Sequence, residues 1–194
     1  DLILTDALSH ACMMSGAKLS GAKVVVFRHN DVGNLRALLA AERAAARHCL
    51  VLTEGVFSMD GDLAPLPDIV AVARDHDAWV MTDDAHGLGV VGDGFGSAAH
   101  WGVHVDVQMG TLSKAVGSYG GYVAASRPVV DLLINRARSL IYATGLPPSV
   151  VAASIAGLDI IAGDPGLCAV PLKRARLFAA QLNLAPPQSP IVPL

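Results

Sequence analysis

Short, almost unbroken apolar runs rich in β-branched residues recur along this chain, and segments with helical spacing fill the intervals between them. AKVVVF (Ala22 to Phe27), LVLT (Leu50 to Thr53), WVMT (Trp79 to Thr82), VDVQM (Val105 to Met109) and GYVAA (Gly121 to Ala125) are the strand candidates. A strand that is apolar on both faces must be covered on both faces, which is the condition of a parallel sheet clothed by helices. The pattern therefore predicts an α/β fold with a mostly parallel central sheet. Asn34 is placed to cap a helix carrying Leu35, Leu38 and Leu39, and Pro67 suits the first turn of a helix over Asp68 to His76.

Beyond Arg127 the strand-like runs stop. Pro128 to Ser139, Pro148 to Ala162 and Leu167 to Gln181 read as helices, with Gly-Pro-Pro punctuation near Pro147. The expected division is a sheet domain over 1–127, a helical connector over 128–165, and the beginning of a second, smaller domain over 166–194. An opening Asp1 and a closing SPIVPL, which reads as an incoming strand, predict a piece of a longer polypeptide.

Composition excludes several classes. A net charge of -3 without a basic run gives no electrostatic reason to expect nucleic acid or an anionic membrane as partner. Each long apolar stretch is cut by charge, Gly or Pro before the ~20 residues of a spanning helix. Cys12, Cys49 and Cys168 are far apart and in no CxxC pair, so a reducing, cytoplasmic setting is expected.

Two polar clusters follow strands, where open α/β sheets bind ligands. The first, Thr82 to Gly87 (TDDAHG), supplies carboxylates and a histidine; by residue type alone Asp83 and Asp84 could equally be a turn pair. The second, Gly110 to Ala115 (GTLSKA), holds one of only four lysines, Lys114, beside the hydroxyls of Thr111 and Ser113. A lysine is ordinarily a surface residue, but one desolvated among small neighbours is a nucleophilic amine. A carboxylate for a pyridine nitrogen and a lysine for an aldehyde are together the requirements of pyridoxal 5'-phosphate (PLP).

The competing motif is GLGVVG, Gly87 to Gly92, which matches GxGxxG. A dinucleotide fingerprint must open a helix directly after its strand, and these glycines run on into DGFG. A nicotinamide-dependent dehydrogenase is thus the weaker reading, and a non-catalytic protein on a PLP-enzyme scaffold would be expected to have lost Lys114 or Asp83. His100 and His104 stand i and i+4 but lack a third metal ligand, and Gly102 weakens a helix between them. Asp60 and Asp62 hint at a calcium loop without its remaining ligands, and a turn is expected there instead.

DDAHGLGVVGDGFGS followed by TLSKAVGSYGGYV resembles the α-oxoamine synthase family of PLP-dependent transferases of fold type I. DALSHACMMSGAKLSGA, FRHNDVGNL, TEGVFSMDGDLAPLPDIV and IYATGLPPS fall in the same order, so the likeness covers nearly the whole chain. It implies the fold-type I architecture, with a large sheet domain and the start of a small C-terminal α/β domain. It also implies an enzyme that condenses an amino acid with an acyl thioester and loses CO2, working as a homodimer. Lys114 resembles the lysine that carries the cofactor and later takes the Cα proton, and Asp83 the partner of the pyridine nitrogen. His86 is similar to the group near the phenolic oxygen, with Ser58 near the same oxygen and Glu54 close by. His10, alone a helix-cap candidate, resembles the histidine stacked on the ring. Thr111 resembles a phosphate ligand, and Thr144 one reaching the phosphate of the neighbouring subunit. The string Asp83 to Gly87 leans toward members that use L-alanine and a pimeloyl thioester.

Overall fold

The computed structural model describes residues 1–194. Strand β1 (Leu2–Asp6) leads through α1 (Ala11–Leu19) to β2 (Lys23–Phe27), and α2 (Val32–Glu42) to β3 (Cys49–Glu54). Helix α3 (Leu66–Asp75) precedes β4 (Trp79–Asp83), the short α4 (Ser97–Trp101) precedes β5 (Val107–Thr111), and β6 (Gly121–Ala125) is the last strand. These form one six-stranded sheet in the order β2-β1-β3-β4-β5-β6, in which only the β5·β6 pairing is antiparallel. The mostly parallel sheet expected from the apolar runs is thus present.

Successive strand residues face opposite sides of a sheet, and β1 divides its side chains accordingly. Leu2 and Leu4 join Phe27, Leu35, Leu39, Val51, Ile69 and Val80 in the main core, under α2 and α3. Ile3 turns to the other face and packs with Met13 and Ala17 of α1 and with Leu52. Each such fully buried side chain stabilises the fold by roughly 1.5–3 kcal/mol.

Several expectations are corrected. Strand β1, LILTD, adds a sixth strand to the five expected and sits second in the sheet, paired on both sides. Helix α2 is capped by Asp31, whose Oδ1 accepts from the backbone N–H of Asn34 at 2.7 Å. Asn34 lies inside the helix and its Oδ1 accepts from the backbone N–H of Arg28 at 2.8 Å, so cap and third residue exchange roles. Pro67 does occupy the first turn of α3.

After the sheet come α5 (Arg127–Arg136), α6 (Arg138–Ile141), α7 (Pro148–Gly163), α8 (Pro165–Cys168) and α9 (Val170–Gln181). The predicted first helix is broken where Ala137 leaves helical geometry, ψ 101°. Residues of SPIVPL form no strand. They lie over the turn at Gly61, where Ile191 packs with Val56, Leu63 and Val91, and Gln188 Oε1 accepts from the backbone N–H of Leu63 at 3.0 Å. No single helix is long and apolar enough to cross a membrane.

Candidate active site

A parallel sheet brings the carboxyl ends of its strands to one edge, and here that edge collects the chemistry. Glu54 ends β3 and Asp83 ends β4, paired in register; Thr111 ends β5. His10 follows β1 and caps α1, its Nδ1 accepting from the backbone N–H of Cys12 at 3.2 Å. With Nδ1 accepting, Nε2 is the ring nitrogen that carries a proton to donate. His10, Glu54, Asp83, His86, Thr111 and Lys114 line a single cavity of about 260 Å³, together with Cys12, Met109 and Ser113.

Each group is held locally. Asp83 Oδ1 accepts from the backbone N–H of Ala85 at 2.9 Å. The Thr111 and Ser113 hydroxyls are 2.7 Å apart, and Thr111 Oγ1 donates to Gly120 O at 3.0 Å, which closes the loop bearing Lys114. Glu54 is 3% exposed. Burial, and after it the charge of Asp83, push its carboxyl up to about 7, against backbone N–H groups of His10 and Ser58 that favour the anion. Burial also lowers His86, with the Lys114 ammonium acting in the same direction, so the neutral imidazole is favoured.

The segment from Asp84 to Ser97 is organised by one fully buried carboxylate. Asp84 Oδ2 accepts from the backbone N–H of Ser97 and from Gln108 Nε2, both at 2.8 Å. Gly55, Gly87 and Gly96 approach so closely that a Cβ at any of them would collide with this carboxylate. The GxGxxG string is therefore a packing loop: Gly89, at φ +82°, lies against Ala115, and a 3-10 turn over Gly92–Gly94 follows it in place of a nucleotide-binding helix.

Two expected residues stand apart. Ser58 does not line the cavity, although its backbone N–H favours the anion of Glu54. Thr144 lies outside it too, in the exposed segment between α6 and α7, at φ 65°. Cys12 was not singled out by sequence; its only signal was its place two residues after His10, and its Sγ lies 3.0 Å from His10 Nδ1.

Gly102 terminates α4 in a left-handed conformation, so His104 does not share a helix with His100. His29, Asp60 and Asp62 bring ligand atoms within 4.8 Å of one another, but both ring nitrogens of His29 are engaged, by Asp6 at 3.0 Å and Asp62 at 2.9 Å. A larger cavity of about 460 Å³ opens at the amino-terminal edge beside Leu2, His48 and Trp79. The smaller one is the better site, since it holds the convergent amine, carboxylates, imidazoles and hydroxyls, and lies at the ligand-binding edge of the sheet.

This donor set fits a phosphorylated pyridine aldehyde. Lys114 offers the amine, Asp83 a carboxylate, Thr111 and Ser113 hydroxyls for an anion, and Glu54 Oε1 is buried without a partner.

The profile of the family described as aminotransferase class I and II matches residues 1–191. An 8-amino-7-oxononanoate synthase of Methylocella silvestris is 58% identical over 195 residues, covering 100% of this chain and 56% of its own length. The chain spans about half the length of the curated relatives it matches. Among solved structures, the serine palmitoyltransferase of Sphingomonas wittichii superposes with a TM-score of 0.89 at 38% identity, covering 94% of this chain and 46% of that one. The serine palmitoyltransferase of S. paucimobilis, solved with bound PLP-myriocin, gives a TM-score of 0.80 at 36% identity, over 92% of this chain and 45% of that one.

Proposed function

Since the chain belongs to the aminotransferase class I and II family, we propose that its carboxyl-edge cavity binds PLP through Lys114 and serves an α-oxoamine synthase. The reaction condenses L-alanine with a pimeloyl thioester, on CoA or a carrier protein. It yields 8-amino-7-oxononanoate, the product in the name of the Methylocella silvestris relative, with release of CO2 and the free thiol. The observation that carries this reading is the convergence of Lys114, Asp83, His86, His10 and Thr111, from three separate strand ends, on one cavity.

When bound, PLP supplies an electron sink for the negative charge that develops at the amino-acid Cα. The residues divide the remaining work. Lys114 Nζ would hold the cofactor by its aldehyde carbon and is the amine placed to take the Cα proton. Asp83 keeps a proton on the pyridine nitrogen. The Ser113 hydroxyl and that of Thr111, the latter turned from Gly120 O, would donate to the phosphate, and His86 would serve the phenolic oxygen, with Ser58 set back from the cavity. His10 covers the ring and, through Nε2–H, offers a donor to a substrate oxygen. Glu54 stands beside Asp83, and Thr144 serves the phosphate of a neighbouring subunit.

A homodimer accords with the apolar side chains left exposed on the helices flanking the Thr144 segment, among them Leu132, Ile134, Ile155 and Ile160. All three cysteines are free, which accords with the cytoplasm. Residues 1–127 are read as the core of the PLP-binding domain, 128–165 as its connector and 166–194 as the start of the second domain. The likeness to serine palmitoyltransferase favours, as a second reading, another amino acid and a longer acyl chain on the same cofactor chemistry.

Incubation with PLP, reduction by borohydride and peptide mass mapping tests the cofactor. A pyridoxyl group confined to Lys114 is expected, and its absence overturns the proposal. Thiol release from pimeloyl-CoA that requires L-alanine separates the two readings; release from palmitoyl-CoA with L-serine supports the second.

A further inference from the structure

The loop that carries Lys114 is gripped from outside the cavity by α7. Its backbone closes on itself, the N–H of Ser118 donating to Leu112 O at 2.9 Å and that of Leu112 to Gly120 O at 2.8 Å. Closure alone does not fix the loop's height above the sheet. Two residues of α7 supply that constraint. Ser154 is 5% exposed, and its Oγ lies 2.8 Å from Ser118 Oγ and 2.9 Å from Val150 O, which Ser118 Oγ also reaches at 3.1 Å. Two hydroxyls thus share one helix carbonyl, and the end of the loop is tied to the first turns of α7.

One turn further along, Gly157 lets the helix backbone lie directly on the loop. A Cβ there would stand 2.6 Å from Val116 O and 3.1 Å from Val116 Cγ1. Carbonyl oxygens of ordered backbone do not give way as the tip of a side chain does. On the other side Ala115 meets Gly89, where a Cβ would again lie 2.6 Å away. Val116 is itself buried with Ile161 of α7 and with Cys168. Both residues that follow Lys114 are therefore wedged against glycines, while Lys114, like Ser113 before it, lines the cavity.

We propose that Ser154 and Gly157 are positioning residues that set where Lys114 presents its amine, with α7 as a rigid stop behind the loop. The inference rests on Lys114 being the cofactor lysine, and it adds a requirement that residues some forty positions downstream in sequence keep one small and one hydroxylated side chain. Neither residue lines the cavity, so each acts through the loop.

The 194-residue chain and its variants are pulsed with PLP, reduced with borohydride and mapped, which gives the ratio of adduct at Lys114 to adduct at Lys18, Lys23 and Lys173 in one sample. Parallel samples without PLP are pulsed with acetic anhydride and mapped in the same way. Because displacement of a reacting group by about 1 Å can cost up to roughly a hundredfold in rate, Gly157→Ala is expected to lower the Lys114 ratio about tenfold or more. Ser154→Ala is expected to lower it by a smaller factor. Ser118→Ala should reproduce the Ser154→Ala effect, and the double variant should add nothing, because both remove one tie. Ala153→Gly loosens the same helix without touching the loop and should lower the melting temperature while leaving both ratios unchanged.

Ratios in Ser154→Ala and Gly157→Ala that match the wild type, or that move no more than in Ala153→Gly, overturn the proposal. Should no Lys114 adduct form in the wild-type chain, the cofactor reading falls by itself, and the acetic anhydride ratios still decide whether α7 places the lysine.

Discussion

Glu54 and Asp83 stand opposite one another at the carboxyl ends of neighbouring parallel strands, in register, and both side chains enter the same cavity. Two carboxyl groups so placed do not share a buried space as two anions without cost. The proton settles on Glu54, whose carboxyl is pushed up to about 7, first by burial and then by the charge of Asp83. In the proposed function Asp83 is the carboxylate set beside the pyridine nitrogen.

That arrangement makes stability depend on pH in a defined direction. Between the ordinary value of 4.5 and about 7, folded Glu54 keeps a proton that the unfolded chain has released, so folding is weakened as the pH rises through that window. The contribution is on the order of 3 kcal/mol. Glu54→Gln is expected to leave the urea midpoint nearly unchanged at pH 4.5 and to raise it at pH 8. A variant less stable than the wild type at pH 8 would contradict the protonated carboxyl.

His29 gives a dependence of the same sign through a different charge, a cation that its partners favour. It bridges Asp6 and Asp62, and their hydrogen bonds and charges raise its pKa above 6.5 even though burial acts against the cation. The stability it contributes is complete below 6.5 and is lost as the pH climbs through the raised value. Replacement by Gln should therefore lower the melting temperature more at pH 6 than at pH 9. Equal losses at both would show that the ring acts as a neutral hydrogen-bonding spacer.

Asp84→Ala removes the acceptor of the Ser97 N–H and of Gln108 Nε2 in a fully buried setting. Leaving such donors unsatisfied costs about 1–3 kcal/mol each. Denaturation in urea should show the midpoint falling accordingly, with the amides of Gly87 and Leu88, which donate to Asp84 O, less protected in hydrogen exchange. Gly55→Ala should destabilise by collision with the same carboxylate and with Ser97.

Cys12 is the exposed thiol and lines the cavity, whereas Cys49 and Cys168 are buried. Burial, and then the charge of Asp83, raise its pKa above the usual thiol value. Iodoacetamide should modify Cys12 first in the native chain, slowly at pH 7 and faster as the pH rises, and PLP should slow the reaction several-fold. Modification that PLP does not retard would place the cofactor away from this cavity.

Local pattern alone revealed a great deal. Apolar β-branched runs announced five of the strands, Pro67 marked the start of α3, and the two polar clusters following strands contained Asp83, His86, Thr111 and Lys114. These features are legible because they depend on residues within a turn or a strand of one another, where side-chain period and backbone preference act directly. Their order and spacing also carried the family resemblance.

Tertiary structure decided the rest. It placed β1 between β2 and β3, and it turned a dinucleotide-like glycine string into the packing surface around Asp84 and Ala115. It brought Ser154 to Ser118 and Gln188 to Leu63, pairs separated by 36 and 125 positions. No periodicity encodes such meetings, because they follow from how whole elements stack. A hydroxyl or a glycine has a neutral meaning in sequence and gains a specific one only when another part of the chain arrives within 3 Å of it.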